Sequence, residues 1–202
     1  MIEQPSSELR PQSLVPVTVI VGWLLAAAAL AATGIPARLQ PPAPQLVLLG
    51  LTAALIIAGT RLPRLREWLR RLDWRTIVGF HAWRAVAGAA FLIAARRGEL
   101  PARWAQPSAY GDIAVAALAL LLILAVAPGR PGARRAYLAW NVIGLFDILA
   151  VVIGAARIAM SDPSAMVALF RLPLAVIPLW LVPLIIASHV LLFARLRQPA
   201  RA

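Results

Sequence analysis

Four side chains that ionise in water fall inside apolar runs of this chain. His81 and Arg84 lie in VGFHAWRAVAG, Asp147 in AYLAWNVIGLFDILAVVIGAA beside the neutral Asn141, and His189 in PLAVIPLWLVPLIIASH. An ionisable group at the centre of a membrane span costs about 2.5 to 3.5 kcal/mol on insertion scales, so it turns into the bundle and takes a polar partner. Three chemistries are open to such a set. Arg84 and Asp147 could form an interhelical ion pair, with His81, Asn141 and His189 bonding between helices. The same residues could form an ion route or binding pocket, Asp147 being the exchangeable carboxylate and Arg84 the group that sets its proton affinity. Finally, His81 and His189 could supply the two axial ligands of haem b, the one cofactor the residues suggest.

Spacing supports a common site. His81 lies six residues beyond Arg75, Asn141 six beyond Arg135 and His189 six before Arg195, which places all three about 9 Å inside the membrane edge at the helical rise. Arg84 follows His81 on the same helical face, and Asp147 lies about 4 to 5 Å deeper than Arg84, within reach of an extended guanidinium. Glu99 and Asp112 sit at the two ends of GELPARWAQPSAYGD and are expected at the outer face, Asp112 near the start of a helix. The pattern contains no GxSxG elbow, no HExxH metal site and no close acid pair, so no catalytic or metal-ligating set is assigned and the reading favours a non-enzymatic role.

Helices must carry these residues. Of 202 residues, 61% are hydrophobic and 14% charged, against about half and a quarter in ordinary soluble domains. Apolar runs long enough to cross a bilayer recur. The fold expected is all-α, a polytopic transmembrane bundle of six spans at 14–33, 44–60, 76–95, 110–127, 136–156 and 173–194, within one membrane domain over 14–196. Short polar tails occupy 1–13 and 197–202. Between the second and third spans, residues 61–73 place leucines and Trp68 at helical spacing with arginines opposite, the pattern of a helix lying on the membrane surface. Pro173, Pro178 and Pro183 are expected to bend the last span.

The formal charge of +12 arises from arginine alone, and cysteine is absent, which excludes disulfides and thiolate chemistry. The arginines fall in connections between apolar runs, where they set topology and meet anionic lipid headgroups; nucleic-acid binding is not expected. With the N-terminus inside, thirteen arginines lie on the cytoplasmic side and six on the other. Both termini are therefore expected in the cytoplasm, and the location is a bacterial cytoplasmic membrane.

WRAVAGAAFL, GELPARWAQPSAYGD, WNVIGLFDILAVVIG and PLAVIPLWLVPLIIASHVLLF together resemble a group of small bacterial membrane proteins of unassigned function, over about residues 74–196. The resemblance implies a compact helical membrane protein in which Arg84, Gly111, Asp112, Asn141, Gly144, Asp147 and His189 belong to the recurring phrases. It implies no activity. The functional expectation is a carrier or sensor of a small solute or ion working through His81, Arg84, Asn141, Asp147 and His189. The alternatives are a haem b electron carrier ligated by His81 and His189, or an accessory subunit of a larger membrane complex.

Overall fold

The computed structural model describes residues 14–197, so the tails expected at 1–13 and beyond Arg197 lie outside the described residues. Among the described residues every regular element is helical. The order is α1 (Leu14–Ala32), a 3-10 turn (Pro36–Arg38), α2 (Ala43–Arg61), α3 (Pro63–Arg71), α4 (Trp74–Phe80), α5 (Trp83–Arg96), α6 (Ala102–Ala125), α7 (Ala133–Ser161), a 3-10 segment (Pro163–Phe170), a π turn (Ile177–Leu181) and α8 (Val182–Arg197).

Local chemistry sets the boundaries. Leu62 precedes Pro63 and takes an extended conformation (φ −80°, ψ 114°), which ends α2 and lets Pro63 open α3. Asp73 caps α4 by accepting from the Arg75 amide at 2.9 Å. The exposed Asp162 carboxyl accepts from Ser164 and Ala165, which holds it below the usual carboxylate range and closes the turn after α7. Helix α3 half-buries Leu65, Trp68 and Leu69 and leaves its arginines exposed, as the amphipathic spacing predicts.

Five helical segments are long and apolar enough to cross a membrane: Ala43–Arg61, Trp74–Arg96, Ala102–Ala125, Ala133–Ser161 and Ile177–Arg197. Helix α1, Leu14–Ala32, is likewise apolar and has the same 19 residues as α2. The outer surface fits a bilayer: Leu124 is 80% exposed and Phe146 76%, among many exposed leucines, valines and isoleucines. A water-soluble protein rarely presents apolar surface on this scale.

Because lipid is as apolar as leucine, close packing and polar contacts must hold the bundle together. Three tryptophans supply such contacts. The Trp104 indole donates from α6 to the Val151 carbonyl of α7 at 3.1 Å, Trp140 donates from α7 to Val115 of α6 at 3.2 Å, and Trp180 donates to Ile20 of α1 at 3.0 Å. Phe91 of α5 meets Trp104 with ring centroids 5.2 Å apart.

Several boundaries differ from the sequence expectation; α7 runs from Ala133 to Ser161 rather than over 136–156. Helix α6 begins at Ala102 rather than at 110, running straight through the exposed Pro107, so GELPARWAQPSAYGD is mostly helix rather than connector. The third span is interrupted at His81 and Ala82, where the backbone switches to i to i+3 bonds: His81 to Val78, Ala82 to Gly79 and Arg84 to His81, each 3.0 Å. Near the expected proline bend the last span carries the π turn at Ile177–Leu181, with Pro178 inside it.

Candidate functional site: a buried arginine between two carboxylates

Helices α5, α6 and α7 converge on the Arg84 guanidinium. Arg84 stands in the first turn of α5, directly after the tightened turn at His81, and its side chain is fully buried. Nε donates to Asp112 Oδ1 of α6 at 2.7 Å, Nη1 donates to the Gly144 carbonyl of α7 at 2.9 Å, and Nη2 pairs with Asp147 Oδ2 of α7. One cation is thus held by two acids and a backbone carbonyl, the extensive bonding a buried guanidinium requires.

The two acids are not equivalent. Asp112 is sealed, with 3% of its side chain exposed, whereas Asp147 keeps 24% on the outer surface of the α6–α7 seam. Gly111 creates that seam. A Cβ there would stand 3.0 Å from Asp147 Cγ and closer still to Oδ1, so no larger residue fits beneath the carboxylate in this position.

Beside this cluster lies a second polar group. His81 and His189 are completely buried, their ring centroids 4.3 Å apart, with Trp140 against both at 4.8 and 5.4 Å. Asn141 Nδ2 donates to the His189 carbonyl at 3.1 Å, which turns Oδ1 toward His189 Nδ1 at 2.8 Å; Nδ1 therefore carries the proton. Ser188 Oγ gives its proton to the Ile185 carbonyl and meets His81 Nε2 at 3.0 Å, so Nε2 is the protonated nitrogen of His81. His81 Nδ1 and His189 Nε2 have no hydrogen-bond partner among the described residues. Gly144 provides the space for His189: a Cβ there would lie 2.6 Å from Cε1 and 3.0 Å from Nε2.

All five residues of the expected cluster meet here, and Asp112 joins them. The sequence reading placed Asp112 at the outer face and found no close acid pair; the earlier start of α6 instead carries Asp112 inward to Arg84, opposite Asp147. Glu99 stays exposed in the turn between α5 and α6 and takes no part. The spacing of Trp104, Ala105, Ser108, Ala109, Asp112, Val115, Ala116 and Ala119, all buried on one face of α6, was the available signal.

The histidines do not fit haem in this arrangement. Two imidazoles on one iron, each nitrogen about 2 Å from the metal, would have ring centroids about 6 Å apart with a porphyrin plane between them. At 4.3 Å the rings touch each other. Among the described residues no group of three histidine, cysteine or acidic side chains could hold a metal ion.

The fold and cluster define a helical protein with membrane-crossing dimensions and a charged centre shared by three helices. Residues 41–197 match a family described as Domain of unknown function (DUF8737), and the chain belongs to that family. Neither the curated proteins nor the solved structures searched gave a match.

Proposed function

We propose that this protein is a non-enzymatic carrier or sensor of a small cation, foremost the proton, acting through Asp147, Asp112 and Arg84. The observation that carries this reading is the charge count of the cluster: one guanidinium faces two carboxylates, and among the described residues no other cation bonds to either acid. With both acids ionised the site is one positive charge short of neutral. In an apolar interior that deficit is met by one proton or one small monovalent cation. Asp147 is the group through which it exchanges, since Asp112 is sealed and Asp147 reaches the surface of the bundle. Neutral partners on α7 and α8 frame the site without adding compensating charge.

In this reading α1 is the sixth span, α3 lies on the cytoplasmic surface, and both termini are cytoplasmic in a bacterial inner membrane. The arginine distribution supports that orientation: eleven described arginines lie at the end shared by α3, the start of α7 and the end of α8, and six at the opposite end.

The test is infrared titration of the full chain in lipid, in H2O and D2O, from about pH 5 to about pH 9, repeated with sodium, potassium and lithium. A carboxylic-acid band that titrates, or is displaced by one of these cations, and disappears in Asp147→Asn supports the reading. A cluster whose carboxyl bands and thermal stability ignore both pH and cation overturns it.

A further inference from the structure

We propose that the groove between the start of α7 and the end of α8 is a binding site for an anionic phospholipid, its phosphate held by Arg135 and Arg197 with Arg134 beside them. The groove has a volume of about 690 Å³ and is bounded by these three arginines and by Leu138, Phe193 and Leu196. Among the described residues no acid lines it. This site is separate from the Arg84 cluster and does not depend on the reading given for it.

Four observations define the ligand. The arginines come from two helices, and both are positioned: Arg134 Nε donates to the Leu196 carbonyl, which ties the first turn of α7 to the last turn of α8. Arg135 and Arg197 are exposed and have no ion-pair partner among the described residues, so their guanidinium forks are free for a bidentate acceptor, the geometry that phosphate offers. The apolar residues argue against a soluble anion. A free phosphate gains nothing from Leu138 and Phe193, whereas the glycerol and first methylenes of a lipid cover them. Position agrees as well, because α7 begins and α8 ends here, the level at which apolar runs give way to headgroups.

The surrounding charge selects an anionic headgroup over a zwitterionic one. Arg195 lies two residues before Arg197, and Arg130 lies in the turn before α7. Among the described residues Glu67 and Asp73 are the acids at this end of the bundle, and neither lines the groove.

Binding is measured on the full chain by native mass spectrometry from mixed micelles of phosphatidylglycerol and phosphatidylcholine, with thermal stability in each lipid as a second readout. The wild type is expected to retain phosphatidylglycerol over phosphatidylcholine by on the order of tenfold. In Arg135→Gln/Arg197→Gln that preference should vanish. The comparison variant Arg64→Gln/Arg66→Gln removes the same charge from α3 at the same end and should keep it. Equal retention of the two lipids by the wild type overturns the proposal, and so does loss of preference in the α3 variant, which would mark a diffuse charge effect. Full displacement of the lipid by soluble glycerol 3-phosphate would also overturn it, assigning the arginines to a free anion. Helical circular dichroism of each variant separates lost binding from lost folding.

Discussion

Arg84 costs the protein a buried guanidinium, and its bonds to two acids and a carbonyl make that burial tolerable. Removing it should therefore hurt more than removing either acid. Arg84→Ala leaves two carboxylates without their cation and is expected to destabilise the bundle by about 3 to 5 kcal/mol, while Asp147→Asn keeps the shape and removes the surplus charge at far smaller cost. A double-mutant cycle in equilibrium unfolding checks this, and a loss in Arg84→Ala no larger than that of Asp147→Asn would contradict it. Exposure separates the acids further. A hydrophobic carbodiimide adds across a protonated carboxyl to give an N-acylurea, retaining the whole reagent mass. Peptide mass spectrometry should find that adduct on Asp147, 24% exposed, and not on Asp112, 3% exposed. Of this site, Arg84 and Asp147 were legible in the sequence because charges in apolar runs stand out. Asp112 was not, because two prolines and several polar residues made the first turns of α6 read as a connector.

At the scale of elements, Gly144 decides how close α7 comes to α6 and α8. Gly144 lets His189 lie against the α7 backbone while Arg84 bonds the carbonyl of the same residue. In Gly144→Ala the new Cβ would meet His189 Cε1 at 2.6 Å and Val115 Cγ1 at 3.2 Å, and neither ring nor helix can retreat without breaking the Asn141 bonds. A loss of about 1 to 3 kcal/mol is expected, the range for overpacking. Gly50→Ala on α2, where no atom lies within 4 Å of the added Cβ, should be neutral or slightly stabilising, as helix propensity alone dictates. Thermal unfolding of the two variants side by side tests the pair. Helical periodicity made these elements legible as helices, and His81, Asn141 and His189, each six residues from an arginine in the sequence, lie in contact in the bundle. The turn at His81 and Ala82 was not legible, since no proline marks it and the i to i+3 bonds arise from packing in the assembled bundle.

For the whole molecule, the number of crossings turns on α1. Five segments meet the length and hydropathy of a span, and α1, Leu14–Ala32, is apolar and equals α2 in length at 19 residues. It is attached to the bundle: Ala27 and Ala31 are buried, and the Ile20 carbonyl accepts from Trp180, while Val19 and Leu25 remain about two-thirds exposed, as residues facing lipid would be. A helix lying on the surface would instead show one polar face, which α1 lacks. Helix α1 is therefore expected to cross, and parity converts this into a measurement. With six crossings the two termini share a side; with five they lie on opposite sides. The absence of cysteine makes the test clean, because each introduced thiol is the only one in the chain. Ser7→Cys before α1 and Ala200→Cys after α8 should both be protected from a membrane-impermeant maleimide in intact cells and labelled after lysis, together with Arg66→Cys on α3. Arg97→Cys and Ser161→Cys should label from outside. Labelling of Ser7→Cys from outside, with the other four as expected, would reduce the count to five and return α1 to the outer leaflet.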